Sequence, residues 1–256
     1  MRASLHRALI GALAVALCAA AAFALCACGA NKQQVSPYNW DNLVSPAGRF
    51  AYSDGTYFGV TGIDVSESQG AIDWEAVAQD GVEFAFVRLG NRGTTEGGLY
   101  ADDCYAQNLD DAAGAGLAVG AYFYSQATSV SEAMEEAAFA LELLDGRTLD
   151  LPVAFDWEAS MGGRLGGIDA QTAAQCARAF CQCLNEAGYQ TALYGNASDL
   201  LFFGEDQLES GCIWLAEYTD GAPASTLAFT FWQYSSTSSV AGIEGPVDMD
   251  LWMRRV

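Results

Sequence analysis

The sequence predicts an α/β barrel of eight strands, regular in its first half and poor in helices in its second. From Gly59 onward, short apolar runs alternate with amphipathic stretches, a pattern typical of βα units around a parallel sheet. The last three predicted strands are separated by segments too short or too irregular for full helices. A chain of 256 residues is long enough for one barrel with a full core and hardly for two. We therefore expect a single catalytic domain with the size of one barrel.

Runs rich in apolar, β-branched and aromatic residues predict the strands. They cover residues 59–65, 84–90, 117–125, 151–158, 191–195, 213–217, 229–234 and 247–251. Helical spacing of apolar residues predicts helices at 73–80, 100–115, 131–144 and 170–187, with a short one near 197–203. Ser131, which is followed by early acids, is the expected start signal of the third helix, and Gly188 follows the end of the fourth.

The first 27 residues have the layout of a bacterial signal peptide. Arg2 and Arg7 precede an apolar run at 8–24, and Leu25-Cys26-Ala27-Cys28 follows it. This ending resembles the lipobox, in which the chain is cleaved before a cysteine that carries lipid. We therefore expect Cys28 to become the lipidated N-terminus. An uncleaved anchor is the alternative, because 17 apolar residues approach the lower limit for a membrane span.

The predicted domain boundaries follow from this layout. Residues 1–27 are the expected lipoprotein signal peptide, and 28–58 lack sustained periodicity, which favours a lipidated tether. Residues 59–256 are the expected barrel. With or without cleavage, the barrel would face outward from the bacterial cell membrane.

Net charge and histidine content limit the catalytic mechanisms and the partners that we expect. The one histidine, His6, lies inside the predicted signal, so the mature chain would have none. That excludes Ser-His-Asp and Cys-His catalysis and any histidine metal site. Acid–base chemistry then falls to carboxylates, tyrosines or cysteines. The formal charge of −21 would become −23 on loss of Arg2 and Arg7, and such a field repels phosphate, so we expect no nucleic-acid partner.

Five of the eight cysteines would remain after Cys18 and Cys26 leave with the signal and Cys28 takes lipid. They are Cys104, Cys176, Cys181, Cys183 and Cys212. An odd number leaves at least one thiol free unless two molecules are joined. Cys176 and Cys183 lie too far apart along a helix to bridge, so any disulfide would join that helix to Cys104 or Cys212. Paired C-x-x-C units are missing from the sequence, and we expect no metal site.

Polar and aromatic side chains lie at the predicted strand ends, where a barrel carries its chemistry. They are Asp64, Arg88, Tyr122, Tyr124, Asp156, Glu158, Tyr194, Glu217, Tyr218, Gln233, Tyr234 and Asp248. Asp156 and Glu158 are spaced i, i+2, so on a strand both side chains point the same way. Two carboxylates on one face push their pKa values apart, as glycoside hydrolysis requires. The alternatives are a pair of solvated loop acids and aromatics that belong to the core.

Several segments in one order resemble the family 25 glycoside hydrolases, the muramidases also called Chalaropsis-type lysozymes. The first is the run GIDVSESQGAIDW at 62–74. The others are 86–90, the helix that carries Asp102, Tyr105 and Asn108, and the segments 115–125, 151–158, 214–218, 231–234 and 247–248. The resemblance covers residues 59–256. It departs from the family pattern at Ser68, where the family usually has histidine.

The resemblance implies a modified TIM-like (β/α)5(β)3 barrel that cleaves the β-1,4 bond between N-acetylmuramic acid and N-acetylglucosamine in peptidoglycan. By position, Glu158 matches the general acid and Asp156 the acid that supports attack at the anomeric carbon, whereas Asp64 and Asp248 match two further carboxylates. Seven side chains are the expected glycan contacts. They are Arg88, Tyr122, Tyr124, Tyr194, Tyr218, Gln233 and Tyr234.

The resemblance implies no cofactor and no metal, and the expected partners are peptidoglycan glycan strands and, through lipid, the membrane. We expect a monomer. The sequence leaves open whether the substrate's 2-acetamido group or a water attacks the anomeric carbon. Two other functions stay open: a catalytically inactive cell-wall-binding lipoprotein, and a hydrolase of another N-acetylhexosamine polymer such as chitin.

Overall fold

The computed structural model describes residues 35–256, apart from the side chains of residues 205, 209 and 210. The predicted signal peptide and the lipidation site at Cys28 lie outside the described residues. Eleven strands are present in this part of the chain. They are β1 (Leu43–Val44), β2 (Ala51–Tyr52), β3 (Tyr57–Val65), β4 (Phe84–Arg92), β5 (Leu99–Ala101), β6 (Ala118–Ser125), β7 (Val153–Trp157), β8 (Thr191–Asn196), β9 (Cys212–Ala216), β10 (Phe231–Ser238) and β11 (Val247–Arg255).

Six α-helices connect the strands of the described chain. They are α1 (Trp74–Gln79), α2 (Tyr105–Gly114), α3 (Val130–Leu144), α4 (Ala170–Glu186), α5 (Ala197–Leu200) and α6 (Glu205–Ser210). Short 3-10 turns lie at Trp40–Asn42, Pro46–Gly48, Glu67–Gln69, Ala159–Met161, Gly163–Leu165 and Leu201–Phe203. Within the described part of the chain, no helix is long and apolar enough to cross a membrane.

Eight of the strands close a barrel in the order β3, β4, β6, β7, β8, β9, β10, β11, and β11 pairs back onto β3. The pairs from β3 round to β10 are parallel, whereas β11 is antiparallel to both of its neighbours. The mixed α/β fold with a closed eight-strand barrel confirms the predicted fold class. No full helix separates β9 from β10 or β10 from β11, as the sequence predicts.

Some predicted helix boundaries are wrong. The predicted helix at 100–115 begins later, at Tyr105, because Leu99–Ala101 form an edge strand antiparallel to β4. The N-cap of α3 is Ser129, whose side chain accepts a hydrogen bond from the Glu132 amide, and not Ser131. The extended backbone at Ser129 leaves its hydroxyl free to cap the first turn. The sequence also gave no signal for α6.

Aromatic side chains fill the barrel below its carboxyl-end opening. Phe84, Phe86 and Trp214 are fully buried, and the rings of Phe86 and Trp214 stack with centroids 4.3 Å apart. Glycines on neighbouring strands make room for these aromatic rings. A Cβ at Gly62 would come within 2.2 Å of the Phe84 ring, and one at Gly120 within 2.5 Å of the Phe86 ring. The next inward-facing layer, toward the carboxyl ends, is therefore the floor of an open cavity.

The described part of the predicted tether packs on the barrel, which corrects that prediction for residues 35–58. Phe50 and Tyr52 are buried, and Trp40 packs against the same core. The Phe50 ring stacks on Trp232 of β10 with centroids 5.2 Å apart. Within residues 35–256 no helix covers the outer face of β10, and aromatic residues of this segment shield that face from water. The folded domain thus begins before the predicted residue 59.

Candidate active site

A cavity of about 680 Å³ opens at the carboxyl ends of the parallel strands. Ten of the eleven predicted site residues line it: Asp64, Arg88, Tyr122, Tyr124, Asp156, Glu158, Tyr194, Tyr218, Gln233 and Asp248. The sequence analysis did not assign its other lining residues, Met161, Asn196, Trp214 and Ala216, to the site. Parallel strands converge at this end, which explains why residues far apart in sequence meet here.

Asp248 reaches the cavity because β11 runs against the other strands. The first residues of β11 therefore lie beside the last residues of β3, and Asp248 is paired directly with Asp64. Burial raises the pKa of Asp248 to about 6. The carboxyl group of Asp64 is more deeply buried, and burial followed by the charges of Asp250 and Asp248 raises its pKa further. Protons are therefore retained in this corner of the site at mildly acidic pH.

Asp156 and Glu158 project from the end of β7 toward the same cavity, as their i, i+2 spacing predicts. The hydrogen bond between their carboxyl groups raises the pKa of Asp156 and lowers that of Glu158. Burial is the main cause of the raised pKa of both acids, and the Glu158 charge raises that of Asp156 further. One Asp156 oxygen is buried without another hydrogen-bond partner among the described residues. The pair can therefore present one acid and one carboxylate to a ligand.

A hydrogen-bonded chain connects Asp64 to two tyrosines. The Gln233 amide nitrogen donates to Asp64 Oδ2 at 2.7 Å. The Gln233 amide oxygen accepts from the hydroxyls of Tyr194 at 2.7 Å and Tyr218 at 2.9 Å. Burial raises the pKa of both tyrosines, which keeps their hydroxyls as donors. These contacts fix the orientation of the Gln233 amide beside the carboxylates.

Asp250 is a further buried carboxyl that the sequence analysis did not include. It lies two residues beyond Asp248 on the same face of β11 and is fully buried. Its Oδ1 accepts a hydrogen bond from the Trp214 indole nitrogen at 2.7 Å, and its side chain also hydrogen-bonds Asp64. Burial raises its pKa. The Asp248-x-Asp250 spacing, the same as that of Asp156 and Glu158, was a signal for it.

Arg88 holds the loop after β3 as well as lining the cavity. Its guanidinium donates to the fully buried carboxylate of Asp102 from Nε at 2.9 Å and from Nη2 at 2.8 Å. It also pairs with Glu67 at 3.0 Å, and the Glu67 amide donates to Asp102 at 2.9 Å. The nearby positive charge partly offsets the raised pKa of Asp156.

Ser68 lies in a loop that local hydrogen bonds hold in place. Its side chain is exposed, and its amide donates to Ser66 Oγ at 3.2 Å. The Gln69 amide oxygen accepts from the Ser66 amide at 2.9 Å, which completes a capping box. The loop is thus held by the Ser66–Gln69 capping box and by the Arg88 ion pairs.

Asp199 is a second residue that sequence reasoning missed. It is 2 % exposed and accepts from the Ser160 hydroxyl at 2.6 Å and the Asn196 amide at 2.7 Å. Its charge is, after burial, the next cause of the raised pKa of Glu158. Asp199 therefore fixes the turn that follows Glu158 and helps keep this acid protonated. The N-cap pattern of Asn196 before Asp199 is visible in the sequence, but its contact with Ser160 is not.

Tyr234 is the one predicted site residue that the structure places elsewhere. Gln233 faces into the barrel, so the next side chain on β10 faces outward. Tyr234 is buried there against Phe50 and Trp232, with ring centroids 4.9 and 5.6 Å away. The strict alternation of side chains along a strand was enough to exclude it once Gln233 was assigned.

Tyr122 and Tyr124 line the cavity from β6, on either side of an outward-facing residue. Burial raises the pKa of both, to about 12 for Tyr124. All five cysteines of the described chain are unpaired. Among the residues that the structure describes, no group of His, Cys, Asp or Glu side chains is arranged to hold a metal ion. The cavity thus offers carboxyl groups, phenols and an amide as its chemistry.

Comparison with known proteins identifies the family. A sequence model of glycosyl hydrolases family 25 matches residues 63–243. The chain belongs to this family. The matched residues include strands β4 to β10 and every cavity residue named above except Asp248.

Two relatives are lysozymes by name. The chain is 31% identical over 193 residues to an autolytic lysozyme of Clostridium acetobutylicum, with 74% of this chain and 54% of that protein covered. It is 30% identical over 210 residues to lysozyme M1 of Streptomyces globisporus, with 74% and 66% covered. The chain therefore spans less than two thirds of either relative's length.

Solved structures share the fold. The modular autolysin LytC of Streptococcus pneumoniae is similar with a TM-score of 0.67 and 25% identity, over 82% of this chain and 52% of that one. A bacterial lysozyme of Streptomyces coelicolor is similar with a TM-score of 0.62 and 25% identity, over 78% and 93%. The first of these, like the two lysozymes, is considerably longer than the matched region.

Proposed function

We propose that the chain is an N-acetylmuramidase that hydrolyses the β-1,4 bond between N-acetylmuramic acid and N-acetylglucosamine in peptidoglycan. The observation that carries this proposal is that Asp156 and Glu158, at the end of β7, line one cavity together with further carboxyl groups and tyrosines. Family membership and the lysozyme relatives support it. LytC, one of the similar structures, has been solved with a synthetic peptidoglycan ligand.

In the proposed reaction, Glu158 is the general acid. Its carboxyl proton moves to the glycosidic oxygen as the bond from that oxygen to the anomeric carbon breaks. Asp156 acts as the carboxylate that stabilises positive charge at the sugar, a form that the Arg88 charge favours by lowering the pKa of Asp156. Burial and the Asp199 charge outweigh the lowering effect of the Asp156 hydrogen bond and raise the pKa of Glu158 above its ordinary value, which favours the protonated form of the general acid.

In this proposal, the substrate's own 2-acetamido oxygen attacks the anomeric carbon, and direct attack by a water, which needs carboxyl groups about 6.5–9.5 Å apart, is the alternative. The acetamido oxygen bonds to the anomeric carbon, with Asp156 accepting its N–H. Water then opens this ring and returns a proton to Glu158. The product keeps the β configuration.

Asp64 and Gln233 orient Asp248 and the two tyrosines around the sugar. The Gln233 amide cannot turn, because Asp64, Tyr194 and Tyr218 hold both of its ends. Tyr122 and Tyr124 add a phenol wall on the side of β6. In this proposal, these groups bind hydroxyl and acetamido groups of the glycan, whereas Asp156 and Glu158 act at the broken bond.

The test is hydrolysis of purified cell walls by the Glu158→Gln variant. We expect release of reducing ends to fall by about 100-fold or more, because glutamine keeps the shape and cannot donate the proton. Glu142→Gln, the same change on an exposed face of α3, is the control and should equal the wild type. Wild-type rates for Glu158→Gln contradict the assignment.

Product analysis separates this proposal from its alternatives. Masses with reducing N-acetylmuramic acid and initial β anomers by NMR support the proposed bond and route, whereas α anomers contradict the acetamido route. Faster turnover of chitin oligosaccharides than of cell walls indicates another N-acetylhexosamine polymer. Wall binding without hydrolysis by the wild type indicates an inactive binding lipoprotein.

We also propose that the enzyme acts outside the cytoplasm, as a monomer tethered to the membrane by lipid on Cys28. The sequence from Leu25 to Cys28 supports this anchor. In a bacterial host, Cys28→Ser should move the protein from the membrane fraction to the soluble fraction. Retention in the membrane contradicts lipid anchoring and indicates an uncleaved apolar segment. Sedimentation of the soluble variant at a mass above one chain contradicts the monomer.

A further inference from the structure

A second cavity, of about 520 Å³, lies beside the candidate active site. One wall is the turn from Ser45 to Phe50, and the opposite wall is the end of β10 from Ser235 to Ser238. Tyr218 lines both cavities, so they are adjacent. The volume is within the range of about 300–1,000 Å³ typical of small-molecule sites.

The wall formed by residues 45–50 lies outside the matched family region, which begins at residue 63. Phe50 holds it in place through its contacts with Trp232 and Tyr234. The Arg49 guanidinium ties it further, by an ion pair with Asp80 and a hydrogen bond to the Ser239 carbonyl at 3.1 Å. One wall of this cavity is therefore formed by residues outside the matched region.

The lining chemistry matches a neutral sugar. Six of the lining residues carry hydroxyl groups on serine or threonine, and three are aromatic. The lining includes one carboxylate, Asp220, and no basic side chain. Hydroxyls donate to and accept from sugar hydroxyls, and a ring face takes the apolar face of a sugar. Tyr218 is 56 % exposed, so its ring is available for such stacking.

A buried hydroxyl adds a second observation. Tyr234 lines this cavity and is 4 % exposed, and its buried hydroxyl has only a weak contact, with the Phe50 backbone, to satisfy it among the described residues. Buried polar groups are normally paired, so this hydroxyl has capacity left for a further hydrogen bond. An anionic ligand is disfavoured by Asp220 and the acidic chain.

We propose that this second cavity binds an additional neutral N-acetylhexosamine unit of the glycan strand, beyond the sugars that occupy the active site. The inference rests on the proposed muramidase function. It assigns to residues 45–50 and 235–238 the role of a distal subsite that favours long glycan strands over short ones.

The test measures binding of peptide-free glycans of four and eight sugars to full-length protein carrying Glu158→Gln, by calorimetry. We expect the longer glycan to bind about tenfold more tightly, the gain for one stacked and hydrogen-bonded unit. Thr237→Trp, which fills the cavity from β10, should abolish this gain. Ser45→Trp fills it from the other wall and should do the same if Thr237→Trp fails to fold.

Thr148→Trp is the matched control, since Thr148 is exposed on the loop before β7 at the other end of the barrel. It should keep the full gain. An equal gain in Thr237→Trp, Ser45→Trp and the control overturns the distal subsite and leaves the muramidase proposal intact. Binding of a free stem peptide that Thr237→Trp abolishes, with no glycan length dependence, assigns the cavity to peptide and also overturns it. If the wild type neither binds nor hydrolyses any glycan, both proposals fail.

Discussion

Replacement of Asp248 by asparagine should stabilise the protein at neutral pH while it lowers activity. Asp248 is partly buried between Asp64 and the cavity, and this burial raises its pKa from 3.8 to about 6. In the unfolded chain the same carboxyl loses its proton near pH 4. Between about pH 4 and pH 6 the unfolded state therefore binds fewer protons than the folded state, and stability falls as pH rises.

The size of this effect follows from the pKa difference. A difference of about 2 between folded and unfolded states, at about 1.4 kcal/mol per pKa unit, corresponds to about 3 kcal/mol at pH 7. Solvent screening at the partly exposed carboxylate reduces this, and we expect about 1–3 kcal/mol. Asparagine is nearly isosteric and carries no charge, so Asp248→Asn should recover this energy above pH 6 and little of it at pH 4.

The assay is urea unfolding of wild type and Asp248→Asn at pH 4 and pH 7.5. The two proteins should have similar unfolding free energies at pH 4, and the variant should be more stable at pH 7.5. Asp111→Asn, at an exposed position of α2, is the control and should show no pH-dependent difference. Equal stability of Asp248→Asn and wild type at both pH values, or a gain only at pH 4, refutes the reasoning.

Two further substitutions test the contacts around the site. Arg88→Gln leaves the fully buried Asp102 carboxylate without its ion pair and should lower the free energy of unfolding, measured by chemical denaturation, by about 3–5 kcal/mol. Arg147→Gln, at an exposed ion pair, should lower it by less than about 1 kcal/mol. Equal losses for the two variants contradict the structural role of Arg88. Trp214→Phe removes the indole donor to the Asp250 carboxyl. It should lower the free energy of unfolding by about 2–3 kcal/mol beyond the loss that the smaller ring causes by itself. Trp157 is equally buried and donates to a backbone carbonyl at 3.3 Å, so Trp157→Phe should destabilise the protein less than Trp214→Phe. A larger loss of stability for Trp157→Phe in thermal unfolding contradicts the interpretation of Trp214.

The barrel strands were predictable because each is a continuous local pattern. Apolar runs such as the one before Asp156 need no distant information, and the i, i+2 spacing places Asp156 and Glu158 on one face. Alternation also rejects Tyr234 once Gln233 is assigned to the interior. The prediction was wrong at Tyr234 because it assigned every polar or aromatic residue near a strand end to the site. It did not ask which face of the strand each side chain occupies.

The N-terminal segment was not predictable from periodicity. Residues 35–58 show no sustained pattern, yet Trp40 and Phe50 pack on β10. The surface that they pack on, the outer face of β10, exists only after the barrel has formed. Aromatic residues in a presumed linker were the available signal, since exposed aromatic side chains are costly in water.

The sequence by itself determined the barrel, the family resemblance, the paired acids on β7 and the lack of histidine in residues 35–256. Only the tertiary structure decided which acids act together. Asp248 meets Asp64 because β11 is antiparallel, Asp250 joins them beneath Trp214, and Asp199 reaches the turn after Glu158. The physical reason is that pKa values and hydrogen bonds depend on distance and burial, which local spacing along the chain does not specify.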